Sequence, residues 1–82
     1  MDAIAKKVEE ILVEKLGIAS TEVTPDANLI KDLGIDSLDY AELVMEFEQT
    51  FDIRIPDSDA ELLSTVTQAV KYISEKTKAK ET

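Results

Sequence analysis

Four residues cut this chain into lengths. Gly17, Pro25, Gly34 and Pro56, its only glycines and prolines, stand where apolar periodicity breaks off. Glycine readily closes a helix and proline cannot continue one, so helical segments must lie between them. The first runs from Asp2, which can cap it, to Leu16. At 100° per residue Ile4, Val8, Ile11, Leu12 and Leu16 gather within about 140°, while Lys6, Glu10 and Glu14 point away. Residues 18–36 form a long connection with Ile18, Val23, Leu29, Ile30, Leu33 and Ile35 as apolar anchors. A second helix is expected from Ser37 to Thr50, with Asp36 and Ser37 supplying N-cap chemistry. Phe51 to Pro56 alternates like a strand but has no strand to pair with, so it reads as an extended linker held by Ile53 and Ile55. A short helix follows to Leu63, with Ser58 and Glu61 spaced as a capping box. Thr65 and Gln68 repeat that spacing at the start of a last helix, where Val66, Ala69, Val70 and Ile73 make one stripe. The expected fold class is all-α: a small four-helix bundle of three longer helices and one short one, with a long first loop. Residues 1–76 form its single domain, and 77–82 a tail expected to fray.

Composition removes most chemistry. The 82 residues include no cysteine and no histidine, so there is no disulfide, no thiolate and no imidazole to act as base or metal ligand. Ser37 as a nucleophile would lack a base, since Lys31 is the one lysine near it in sequence. Asp36 and Asp39 are better explained as acids at a helix N-terminus than as an acid–base pair. Neither 26–37 nor 32–43 fits a Ca²⁺ loop, and no metal site is expected. No run is long and apolar enough for a membrane span, and the N-terminus lacks a signal-peptide core, so the expectation is a soluble, cytoplasmic monomer.

The net charge of −9 is concentrated. Asp32 to Glu61 holds ten acids against Arg54, while eight acids and eight lysines cancel elsewhere. Such a surface repels nucleic acid and suits basic protein partners. The second helix carries the pattern furthest. Tyr40, Leu43, Val44, Phe47 and Phe51 form a core stripe, Asp39, Glu42 and Glu46 an acidic one, and Leu38, Ala41 and Met45 lie beyond the acids. That second apolar face is either a set of incidental exposed hydrophobics or a small contact patch for transient docking. Ser37 itself lies where helix N–H groups and the positive dipole end favour an anion, a place to attach a phosphate ester.

Gly34-Ile35-Asp36-Ser37-Leu38-Asp39, followed by Glu42-Leu43-Val44-Met45-Glu46-Phe47-Glu48 and Ile53-Arg54-Ile55-Pro56-Asp57, resembles the acyl carrier proteins of fatty acid synthesis. The likeness continues through Ala60-Glu61, Thr65-Val66 and Ala69-Val70-Lys71-Tyr72-Ile73. It implies that Ser37, preceded by Asp36, receives 4′-phosphopantetheine from a phosphopantetheinyl transferase using coenzyme A and Mg²⁺. It implies a carrier, not an enzyme, with acyl thioesters formed on a thiol the polypeptide lacks. By the same likeness Asp36, Asp39, Glu42, Glu46, Asp57 and Glu61 would meet basic patches on acyl-processing enzymes, with Leu38 and Met45 as the apolar part. The carried chain could shelter among Leu43, Val44, Phe47, Ile55, Ala60, Leu63 and Val70.

Tyr40-Ala41 departs from the Thr-Val common among relatives and sets a ring near the chain entrance. It reads either as a boundary tyrosine with its hydroxyl in water, or as a change in chain capacity or acyl load. Leu62 also makes the short helix unusually apolar. Two alternatives stay open on the sequence: a dedicated carrier for polyketide, modified lipid or aminoacyl groups, and an acidic adaptor without a prosthetic group.

Overall fold

A computed structural model describes the backbone of residues 2–81 and the side chains of residues 3–78. The order is α1 (Asp2–Leu16), a 3-10 turn (Ser20–Glu22), α2 (Ser37–Phe51), α3 (Asp57–Ala60) and α4 (Val66–Glu81). Among the described residues this is the all-α arrangement of three longer helices and one short one, with the long connection before α2. Val8, Leu12, Leu29, Leu43, Phe47, Leu63 and Ile73 are buried in one shared core to which the three longer helices, the long loop and the segment after α3 all contribute. Each longer helix thus buries the stripe its spacing defines.

Punctuation works as the residue types dictate. Gly17 adopts a left-handed φ of 66° and its N–H returns to the Val13 carbonyl at 2.9 Å, ending α1. The side chain of Asp2, expected to cap α1, lies outside the described residues. The long connection is not loose. Asn28 caps a turn by accepting from the N–H groups of Ile30 and Lys31 at 3.0 and 2.9 Å, while Asp32 accepts from Asn28 N–H at 2.7 Å. Gly34, at φ 70°, closes that turn with its N–H on the Ile30 carbonyl. Leu29 and Ile35 are buried as expected of anchors, but Ile30 is 56% exposed, because the turn that buries Leu29 and partly buries Leu33 aims the residue between them outward.

The loop is also stitched to the last helix. Asn28 and Thr65 form an isolated antiparallel bridge, and Thr67 donates from both its N–H and its hydroxyl to the Pro25 carbonyl. Thr65 caps α4 by accepting from Gln68 N–H at 3.1 Å, the expected cap.

Three boundaries differ from the sequence reading. The second helix runs one residue further, to Phe51, and closes on left-handed Asp52 at φ 54°. The short helix ends at Ala60, not Leu63, and the Ser58–Glu61 capping box does not form: the N-cap is Pro56, with no side-chain bond. Proline at that position sets the entry dihedral by itself. The backbone of α4 continues past Lys76 to Glu81, where the sequence reading begins a tail. Lysine, alanine and glutamate are good helix formers, and nothing in that segment stops the helix.

Candidate functional site

The first turn of α2 is built by its cap. Asp36 is extended at φ −85° and ψ 176°, and its Oδ1 accepts from Asp39 N–H at 2.8 Å. Its carbonyl takes the Tyr40 N–H at 2.9 Å. The second is the first regular bond of the helix; of the donors orphaned at its start the cap satisfies that of Asp39, and those of Ser37 and Leu38 remain directed out of the helix end. Ser37 is the first helical residue and is exposed. Its hydroxyl stands beside two outward N–H groups and the positive end of the helix dipole, a setting that suits an ester of an anionic group. The neighbouring carboxylates of Asp36 and Asp39 are exposed, so their repulsion on such a group acts through solvent and directs it away from the helix.

The outer face of α2 carries the other residues singled out from the sequence. Leu38 is 69% and Met45 54% exposed, and Asp39, Ala41 and Glu42 are exposed around them. Glu46 is not fully available: it is half-buried and 3.9 Å from Lys15 of α1. Both side chains keep more than a third of their surface, so that pair is weak and can exchange for another cation. Asp57 and Glu61, on and just after α3, are exposed. Leu62 is 60% exposed beside them.

Of the residues read as lining a chain pocket, Leu43, Val44, Phe47, Ile55 and Leu63 are buried together in the core, and Tyr40 and Ala60 pack against it. Val70 packs there too, but it also lines a groove of about 550 Å³ between α1 and α4, with Ala5, Val23 and Pro25. The Tyr40 hydroxyl is not in water. It donates to the carbonyls of Ala60 and Leu63, at 2.5 and 3.0 Å, sharing one proton between them. Burial pushes the phenol pKa upward. The reason is geometric: past the end of α3 the Leu63 carbonyl, and the Ala60 carbonyl that also takes the Leu63 N–H at 3.2 Å, come within reach of Tyr40, one turn beyond Ser37.

Two further fastenings escaped the sequence reading. Glu48 accepts from Ile55 N–H at 2.7 Å through its side chain, while its carbonyl takes the N–H groups of Asp52 and Ile53. That folds the 52–56 linker back on α2. Tyr72 of α4 donates to Asp59 of α3 at 2.6 Å, with the Lys76 ammonium 5.5 Å from its ring. Burial first, then that hydrogen bond and the charges of Asp59 and Glu48, push the Tyr72 phenol up to about 12. A glutamate on a half-polar helix position and a tyrosine thirteen residues from its acceptor leave no local signal in sequence.

The family described as "Phosphopantetheine attachment site" matches residues 6–73. The protein named "Acyl carrier protein" from Amoebophilus asiaticus (strain 5a2) is 51% identical over 76 residues, covering 93% of this chain and 95% of that protein. The chain belongs to the phosphopantetheine-bearing carriers and, within them, to the acyl carrier proteins. It is therefore a carrier with 4′-phosphopantetheine as its cofactor, and the reactions of the cargo belong to the acyl-processing enzymes it meets. Among the described residues no helix is long and apolar enough to cross a membrane.

Proposed function

We propose that Ser37 is the attachment point of the 4′-phosphopantetheine arm, and that the thiol at its end carries the acyl chains of fatty acid biosynthesis as thioesters. One observation carries the reading: an exposed serine hydroxyl opens α2, on a turn whose geometry Asp36 fixes by capping Asp39. The polypeptide has no thiol of its own, and the arm supplies one. Its phosphodiester would lie at the helix N-terminus with the Ser37 and Leu38 N–H groups facing it.

Around that point Leu38 and Met45 form the apolar centre of a docking face and Asp36, Asp39, Glu42, Glu46, Asp57 and Glu61 its charged surround. A small, charge-steered face of this kind binds fast and lets go, which serial delivery to a phosphopantetheinyl transferase and then to enzymes with basic patches requires. The test is intact mass after incubation with coenzyme A, Mg²⁺ and a broad-specificity phosphopantetheinyl transferase. Wild type gains one phosphopantetheine and Ser37→Ala, equally folded by circular dichroism, gains none. Loading of the alanine variant, or none on folded wild type, rejects Ser37.

A further inference from the structure

The short helix α3 has little burial of its own to hold it. It is one turn long and none of its residues is buried. Two tyrosines tie it to its neighbours: Tyr72 of α4 holds Asp59, and Tyr40 of α2 holds the carbonyls of Ala60 and Leu63 at its C-terminal end. Leu43, Val44, Phe47 and Leu63 are buried in the apolar core against which Tyr40 and Ala60 pack. Ser37 and Tyr40, three apart on one helix, are neighbours on its surface, which sets the tyrosine beside a route from Ser37 toward that core.

From this we infer that Tyr40 is a chain-length-selective strap. A hydrocarbon chain carried from Ser37 enters the seam between α2 and α3 only when the Tyr40 hydroxyl lets go of Ala60 and Leu63. The inference rests on Ser37 bearing the acyl arm. Releasing the strap opposes entry by a fixed factor, about three- to tenfold for an ordinary hydrogen bond. Burial of the chain favours entry by about fourfold per methylene. A fixed opposing term and a growing favourable one define a threshold length. Short acyl groups stay in water with α3 strapped, and longer ones open the seam. Removing the hydroxyl lowers the threshold by about one to two methylenes, while removing the ring as well opens space for the chain.

The experiment loads wild type, Tyr40→Phe and Tyr40→Thr with phosphopantetheine, verified by intact mass. Each is then acylated with acetyl and with even-numbered chains from hexanoyl to tetradecanoyl, and the rate of thioester cleavage by hydroxylamine is measured. Relative to the acetyl form, protection sets in at a shorter chain in Tyr40→Phe than in wild type, and near that length cleavage is about three- to tenfold slower in the variant. Identical chain-length profiles in wild type and Tyr40→Phe overturn the strap, whereas failure to load any phosphopantetheine overturns the Ser37 assignment beneath it. Wild type offers a check that no variant can spoil. Carbonyl chemical shifts of Ala60 and Leu63 must differ between the acetyl and tetradecanoyl forms, and unchanged shifts in a form whose thioester is protected reject the inference.

Discussion

Replacing Asp36 separates two roles that one carboxylate performs. In Asp36→Ala the 2.8 Å bond to Asp39 N–H disappears, and the residue is exposed, so no packing is lost with it. The expected destabilisation is that of a helix N-cap, about 1 kcal/mol. For a domain of this size that lowers Tm by about 4–8 °C. Asp36→Asn keeps an oxygen in the capping position and gives up only the charge. Asparagine caps as well as aspartate, and the lost attraction to the helix dipole, about 0.3–1 kcal/mol, is offset by relief of repulsion from Asp39. Its Tm should stay within about 3 °C of wild type by the same conversion. Thermal melts followed at the helical ellipticity band, at low and at high salt, decide the matter, because the capping difference survives salt and a charge difference does not. If Asn falls as far as Ala, or if the gap closes at high salt, the cap is not what positions Ser37, and the account of that turn is wrong.

Two other outcomes follow from named contacts. Gly34→Ala should cost about 1 kcal/mol, since alanine must adopt a left-handed φ of 70° while a Cβ there meets nothing within 4 Å; chemical denaturation that finds no loss refutes the strain. Tyr72 is raised from an ordinary value near 10 to about 12, so its neutral form is favoured in the folded chain and its contribution is complete below pH 10. That contribution falls away as pH climbs from about 10 through about 12, and urea midpoints of wild type and Tyr72→Phe should converge across that window; parallel curves dismiss the Asp59 bond as its source.

Some of the molecule could be read from the chain and some could not, for physical reasons. The faces of α2 were legible because a helix sorts residues by a fixed angle: Leu43, Val44 and Phe47 are buried and Leu38 and Met45 are not. The cap at Asp36 was legible because an N-cap carboxylate and the N–H that donates to it are three residues apart. The partners of the Tyr40 hydroxyl were not legible, since they lie twenty and twenty-three residues away on backbone that no local pattern brings to it. Ile30 was misplaced for a related reason: in a non-repeating turn no periodicity says which of Leu29, Ile30 and Leu33 faces outward. The Ser58–Glu61 box shows that a local pattern fails when a stronger local rule, here Pro56, already sets the turn.

The seam joining Pro25 and Asn28 to Thr65 and Thr67 has a mechanical consequence. It closes a loop across forty-two residues, from Pro25 to Thr67, with the whole of α2 and α3 inside it. Closing a loop of that length is an entropic cost met once, and it grows only slowly with length, by about 0.6 kcal/mol per doubling. With the base tied, the release of α3 inferred above would leave α1 packed on α4, and the opening of the insert and the unfolding of the frame would have separate free energies. A carrier built this way can loosen around its load many times over without putting its own folded state at risk.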